Sequence, residues 1–451
     1  MERYTLQTMP LCRTHYGVLL NGSMEQITGA ALSTLAGIII PMVKLIGDGH
    51  SMTSVEQGVT GAAGLTGIAI GAAVIGSLTD RVGYAVFFRA CAVLVIVGSL
   101  MPWLWPSTAM LVAGLFVIGL GVGGGYVLDT DYVSELMPAR WKYVMLGAAK
   151  GLCAVGFIAT AALAWWMIDA HPVASAWPRL MLITCSLGAV TLVMRIGWPE
   201  SPVWLMAHGR EADARRALRR IFGKRAEEIE LVSPPVTTAH KASASWLDMF
   251  RGQQLTKVIF SGIPWACEGV GVYGVGVFLP VIVMALGIDR EASAGIAQVI
   301  GSVKLTAVIN FFILPGFVAG LLVMRRMSHL TMLAGGFWLS AAGMALLLAA
   351  YLLHWPVWVS IMAFVVFEMA LNAGPHLVTF IIPAEIYDVD HLGAGSGIAA
   401  MLGKAGAILG VFCMPLLLSA GGVTLVLAVC IGVMAIGALI SQIFGPKVLR
   451  K

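Results

Sequence analysis

Apolar residues recur along this chain in blocks of about 20 or more positions, each closed by a short polar stretch, from Tyr16 to Phe444. A helix rising about 1.5 Å per residue needs about 20 residues to cross a bilayer core of about 30 Å. Alternating apolar and polar runs of about ten residues, the mark of a membrane barrel, are absent. The blocks therefore predict membrane-spanning helices, near 17–43, 54–78, 86–105, 107–134, 143–169 and 177–197, then 256–286, 292–323, 330–353, 356–383, 394–419 and 421–443. That makes twelve spans, of which the second and eleventh, rich in glycine and alanine, carry the weakest signal. One long polar segment, 198–254, separates an N-terminal six-helix half, 1–197, from a C-terminal six-helix half, 255–451.

Composition sharpens this picture. Hydrophobic residues make up 59% of the chain and charged residues 11%, against roughly 25% charged in a soluble domain, which excludes a soluble enzyme. The seven cysteines are scattered through apolar blocks without a CxxC pair, so they predict neither a disulfide framework nor a zinc site. They read as small core residues. No short cleavable leader precedes the first span, whose apolar stretch is too long and lacks an A-x-A site, so that helix is expected to direct insertion itself.

Lysine and arginine mark the cytoplasmic side of a membrane protein. One set of connections holds Arg3, Arg13, Arg81, Arg89, Arg140, Lys142, the 198–254 cluster, Arg325, Arg326, Lys447, Arg450 and Lys451, whereas the other holds only Lys44, Arg179 and Arg290. Both termini and the central segment are thus predicted to be cytoplasmic, with the chain in the cytoplasmic (inner) membrane. The formal charge of +5 follows from this bias and calls for no nucleic-acid partner. Within the central segment, Ala214, Ala217, Leu218 and Ile221 fall at helical spacing opposite Arg215, Arg216, Arg219 and Arg220. This pattern predicts an amphipathic helix resting on anionic headgroups. Ser233-Pro234-Pro235 through Ser245 reads as a flexible connector.

Local motifs carry a family resemblance. Gly76-Ser-Leu-Thr-Asp80-Arg81-Val-Gly83, between the second and third spans, resembles the G-x-x-x-D-R-x-G-R-R/K loop of the major facilitator superfamily, departing at Tyr84 and Ala85 where two basic residues are usual. Tyr132-Val-Ser134-Glu135-Leu-Met-Pro138-Ala-Arg140 is similar to the sugar-porter Y-x-S-E-x-x-P loop, and Pro199-Glu200-Ser201-Pro202-Val203-Trp204-Leu205 to PESPRWL, with Val203 in the arginine position. The second half repeats these signals in eroded form: Pro383-Ala384-Glu385-Ile386-Tyr387 looks like the P-x-E-x-[FY] loop, Asp390 and Leu392 stand where arginines are usual, and Gly320 through Arg326 lacks the loop's aspartate. The resemblance implies an all-α membrane protein of the major facilitator fold, a transporter rather than an enzyme, in its sugar-porter-like or metabolite:proton symporter branch. It implies a gating seam of Asp80, Arg81, Glu135, Arg140, Glu200 and Glu385, strong in the first half and weak in the second.

Ionisable side chains at membrane depth cost at least ~2.5 kcal/mol each on insertion scales, so each is a functional candidate. They are Glu25, Asp129, Asp131, Lys150, Glu268, Lys304, Glu368 and Lys404. A buried carboxyl that exchanges a proton can couple transport to a proton gradient. Glu25, in Gly22-Ser23-Met24-Glu25, is the first candidate, with Glu268 and Asp129 as alternatives; Asp129 and Asp131 also suit a structural role near Glu135. Three intramembrane lysines suit an anionic solute, and Gly403-Lys404-Ala-Gly406 is similar to the G-R-x-G segment of organic-anion symporters. Lys404, Lys304, Lys150, Trp265, Glu368, Asn372 and His376 are therefore the candidate substrate contacts, beside Tyr273, Phe278 and Phe367 as possible cavity lining. The competing reading pairs Lys404 with Glu25 or Lys150 with Glu268 as internal neutralising ion pairs. Trp103, Trp105, Trp355 and Trp358 fit an interfacial belt.

The expected function is proton-coupled symport of a small organic anion or metabolite by a monomer in the lipid bilayer, with no cofactor or metal. Transport of a neutral sugar or polyol is the alternative, and a non-transporting sensor on the same fold the third. The fifth span, Leu146 through Thr160, lacks the G-P-x-x-G of drug/proton antiporters.

Overall fold

The computed structural model describes residues 4–46, 52–231, 248–286, 295–324, 326–388 and 391–449. The connector 233–245 lies outside them. Helices run in the order α1 (Arg13–Asn21), α2 (Met24–Ile46), α3 (Ser54–Val82), α4 (Tyr84–Leu104), α5 (Thr108–Leu136), α6 (Lys142–Gly151), α7 (Cys153–Ala170), α8 (Met181–Arg195), α9 (Pro202–Ala207) and α10 (Glu211–Phe222). After the central segment come α11 (Gly252–Gly269), α12 (Gly276–Ala285), α13 (Ile296–Phe311), α14 (Ile313–Val323), α15 (His329–Leu352), α16 (Val357–Ala373), α17 (Pro375–Val378), α18 (Ile382–Ile386) and α19 (Leu392–Val448).

Among the described residues, 11 helical stretches are long and apolar enough to cross a membrane. The last is two spans: Gly421 and Gly422 leave helical geometry inside α19, Gly422 at φ 63°, a conformation open to glycine but costly for a side chain. Splitting α19 there turns 11 stretches into the twelve spans that hydropathy predicts. Among the described residues the spans are those of an all-helical membrane protein, as the sequence predicts.

Breaks inside spans escape hydropathy because apolar content does not change across them, and besides those at Leu152 and Phe312 three bear on the polar residues below. The first span starts at Arg13 and splits at Gly22-Ser23, where a Cβ on Gly22 would stand 2.4 Å from Val133 Cγ2. The seventh widens into a π-helical stretch, Val270–Val275, directly after Glu268. The tenth breaks at Gly374 (φ −116°, ψ −89°) before Pro375, which has no N–H to continue the ladder.

Contacts divide the chain into two units. The first comprises Met1–Leu32, Thr66–Gly156 and Met181–Lys241; the second comprises Ser33–Leu65, Phe157–Leu180 and Ala242–Lys451. Water gives little drive for helices to associate within lipid, so small residues allow backbones to touch. In the first unit Gly98 and Gly114 face each other across α4 and α5, each without room for a Cβ beside the other's carbonyl. In the second, a Cβ at Gly406 of α19 would lie 2.3 Å from the Ala266 carbonyl of α11. Large apolar side chains such as Val97, Val193, Leu322, Leu339 and Leu409 remain exposed on the spans, the face a lipid tail covers.

The amphipathic helix α10 differs from its sequence expectation. Its apolar residues Ala214, Ala217, Leu218 and Phe222 are buried against protein, with Leu205, Ala226 and Ile229, rather than left for headgroups. Tyr4 pairs with the same segment, donating to Glu228 O at 2.8 Å and accepting from Glu230 N at 2.7 Å. The arginine face stays solvated and partly ion-paired, as Arg215–Glu211 and Arg210–Asp213.

Candidate functional site

The deepest charges of the first unit converge on one side chain that the sequence reading passed over. Arg195, the last residue of α8, is 1% exposed. Its Nη1 donates to Glu25 Oε1 at 2.9 Å and its Nη2 to Asp129 Oδ1 at 2.7 Å. Nε donates to Asn21 Oδ1 at 3.2 Å, Nη1 also reaches the Phe88 carbonyl at 3.3 Å, and the guanidinium carbon lies 4.8 Å from the centre of the Phe88 ring. Glu25 and Asp129 are buried too, and Glu25 Oε2 and Asp129 Oδ2 have no hydrogen-bond partner among the described residues. Two carboxylates thus share one guanidinium, so the cluster holds a net negative charge unless one of them binds a proton. Gly125 of α5 leaves the room Glu25 occupies, since a Cβ there would stand 2.2 Å from Glu25 Cγ.

Toward the end of this unit that bears α9 and α10 lies a second network. Glu200 Oε1 accepts from the Tyr84 N–H at 2.7 Å and Oε2 from the Ala85 N–H at 3.0 Å, placing a carboxylate on the N-terminus of α4, where the exposed donors and helix dipole favour an anion. Gly83 allows this approach: its φ is 98°, and a Cβ would stand 2.5 Å from Glu200 Oε2. Glu135 accepts from the Tyr84 hydroxyl at 3.1 Å and from the Ser201 hydroxyl, while the Tyr132 hydroxyl donates to Pro199 O at 3.1 Å. Arg81 and Arg140 are exposed and hold no ion pair among the described residues. The Asp80 side chain lies outside the described ones.

In the second unit, His376 on the single turn α17 hydrogen-bonds through Nδ1 to Glu268 Oε1. The Phe317 ring stands edge-on to the imidazole at 5.4 Å. On α16 the Asn372 amide donates to Glu368 Oε2 at 3.2 Å, one helical turn away. All four polar residues are 3–5% exposed. Lys404 is half-buried with its Nζ 5.4 Å from the centre of the Tyr273 ring, and Trp265 packs beneath Gly403 and edge-on to Phe380. Lys304 is exposed, 5.6 Å over Trp165; Lys150 is half-buried in the first unit. The structure therefore gives Glu25 and Glu268 partners other than the lysines weighed from sequence. Glu385 pairs with His329 Nδ1 at 2.5 Å, and Lys257 with Asp388 at 3.5 Å. Tyr387 meets the Ser261 hydroxyl at 3.1 Å, and burial pushes its phenol above the usual range. A cavity of about 190 Å³ bordered by Met42, Trp166, His171 and Arg179 contains none of these buried acids. Among the described residues no His, Cys, Asp and Glu group could hold a metal ion.

Residues 7–450 match the family described as "Sugar (and other) transporter". The chain belongs to this branch of the major facilitator superfamily. The transporter is 24% identical over 444 residues to the inner membrane metabolite transport protein YgcS of Escherichia coli K12, covering 98% of this chain and 94% of that one. It is 30% identical over 407 residues to the putative metabolite transport protein YncC of Bacillus subtilis, covering 86% and 83%. The partially occluded, inward-open xylose transporter XylE of E. coli superposes with a TM-score of 0.76 at 18% identity over 97% of this transporter and 98% of that chain. This last likeness concerns the fold.

Proposed function

We propose that this transporter moves a small organic metabolite across the cytoplasmic membrane in symport with protons, and that Glu25, Asp129 and Arg195 form its proton-binding site. The observation that carries the reading is the sharing of one buried guanidinium by two buried carboxylates, each with one oxygen left without a partner among the described residues. A net charge in a low-dielectric interior is costly. Binding one proton makes the triad neutral, and releasing it requires an opening to water or a compensating ligand, which is the linkage a symporter needs. Asn21 and the Phe88 ring hold the guanidinium in place in both states.

Lys404, beside Tyr273, is the residue we assign to charge selection, favouring an organic anion. A sugar or polyol is the second reading; the names of two similar proteins, a glucose transporter of Staphylococcus epidermidis and the xylose transporter XylE, favour it. In either case the six-helix halves 1–197 and 255–451 rock about the central segment, with both termini cytoplasmic, and the transporter works as a monomer.

The test uses purified protein in proteoliposomes with labelled D-xylose, D-glucose and a panel of monocarboxylates. Glu25→Gln, a mimic of the protonated acid, is expected to keep exchange at equal concentrations and to lose accumulation driven by external acid. A variant that still concentrates solute against its gradient would move the proton elsewhere or make the protein a uniporter.

A further inference from the structure

The second unit carries a buried set of titratable groups that the triad does not involve. Glu268 comes from α11, His376 from α17 and Glu368 with Asn372 from α16, and the break at Gly374-Pro375 is what aims His376 at Glu268 rather than along the tenth span. One imidazole and two carboxyls are present. One proton shared across the His376–Glu268 hydrogen bond makes that pair neutral, whether as imidazolium and carboxylate or as imidazole and acid. Glu368 is then left with the neutral Asn372 amide and the more distant field of His376. A carboxylate 5% exposed, whose hydrogen-bond donor among the described residues is an amide, is a charge that burial opposes.

The other ionisable groups on the packed elements have their own settings. Lys257 of α11 pairs with Asp388, His329 of α15 pairs with Glu385, Lys304 of α13 lies over Trp165, and Lys404 and Lys447 of α19 lie over Tyr273 and Phe444. Cys267, Cys413 and Cys430 are free thiols, and Tyr273 of the seventh span and Tyr351 of α15 carry phenols. None of these is the described contact of Glu368.

We infer that Glu368, with the Glu268–His376 pair beside it, is a second proton-binding site, separate from the Arg195 triad, so that the transporter exchanges one proton in each unit. The proton resides on the Glu368 carboxyl. When it leaves, the hydrogen-bonded Glu268–His376 pair keeps its one shared proton, and only Glu368 changes charge. The inference does not depend on the reading of the triad, because the two sites titrate in different units and are read separately.

The experiment is an equilibrium proton titration of the purified full-length protein in detergent, with protons alone as the probe and infrared detection of carboxyl bands, across about pH 5 to 9. Glu368→Gln is expected to take up one proton per molecule fewer than wild type and to lose one carboxyl band. Glu25→Gln is expected to lose a different one, and the double variant both. Where Glu368→Gln fails to fold, His376→Gln serves, and it should displace the same band by removing the neighbouring imidazole. Equal proton uptake in Glu368→Gln and wild type, as expected if Lys404 compensates a permanently ionised Glu368, overturns the proposal. So does a single carboxyl band that both Glu25→Gln and Glu368→Gln abolish.

Discussion

The Tyr84 hydroxyl donates to Glu135 at 3.1 Å, at a position where the superfamily loop carries a basic residue. The seam at this end of the first unit therefore rests on hydrogen bonds, from Tyr84, Ser201 and two backbone N–H groups of α4, to two carboxylates. Dipolar donors are less sensitive to ionic strength than exposed charge pairs. Tyr84→Phe should destabilise the protein by about 0.5–1.5 kcal/mol, the usual net worth of one intramolecular hydrogen bond, because Ser201 remains on Glu135. A melting curve in detergent checks this, and the shift should be nearly the same at low and high salt.

Removing Arg195 leaves two buried carboxylates without a cation. Loss of one partner of a buried ion pair costs about 3–5 kcal/mol, so Arg195→Met is expected to aggregate on extraction. Combining it with Glu25→Gln and Asp129→Asn removes the stranded charges and should restore a monodisperse elution profile. A triple variant as unstable as Arg195→Met would show that the guanidinium acts through Asn21 and Phe88 instead.

Glu25 and Asp129 are visible in the sequence because a carboxylate inside an apolar run has no other reading than burial. Arg195 is not, because it falls in the last turn of the predicted span 177–197, beside Ile196, Gly197 and Trp198, where an arginine can reach the membrane surface as readily as the interior. Only the convergence of α8 with α2 and α5 turns it inward. One signal was available: two deep acids in one half need a cation, and the half offers few. The faces of the spans were equally hidden. Lys304 sits in an apolar run, yet it lies exposed over Trp165, since a helix apolar all round does not say which side meets lipid. Likewise the apolar row of α10 was legible, but whether protein or headgroups cover it was not.

Close backbone approach inside the second unit gives a steric prediction. A Cβ on Gly37 of α2 would stand 1.6 Å from the Val277 carbonyl oxygen of α12. Backbone cannot turn aside as a side chain does, so Gly37→Ala must part the two helices. The expected cost is about 1–3 kcal/mol, the usual penalty of overpacking. Gly276→Ala, one residue from the contact and with open space around its Cβ position, is the control and should melt close to wild type.

Orientation is testable at two exposed positions. Lys224, in the segment after α10, and Val173, between α7 and α8, are both solvent-accessible. With an impermeant thiol reagent applied to intact cells, Val173→Cys should label and Lys224→Cys should label only after lysis. Labelling of Lys224→Cys in intact cells would reverse the topology drawn from the lysine and arginine bias.

Outside the membrane, Asp213 makes a prediction with a definite sign. Arg210 donates to it at 2.8 Å and Arg216 also donates to it, and these hydrogen bonds hold its carboxyl below the usual aspartate range. The folded state therefore binds the proton more weakly than the unfolded chain, so the stabilisation is fully present above the ordinary aspartate value of about 3.9. It is lost as pH falls through the lower folded value. Asp213→Asn should melt below wild type at neutral pH, and the gap should close as the solution is acidified through the carboxylate range. Added salt should narrow the gap at neutral pH, since both arginines are largely exposed. A gap that persists unchanged at acid pH would mean that Asp213 stabilises the first turn of α10 through a neutral hydrogen bond rather than through its charge.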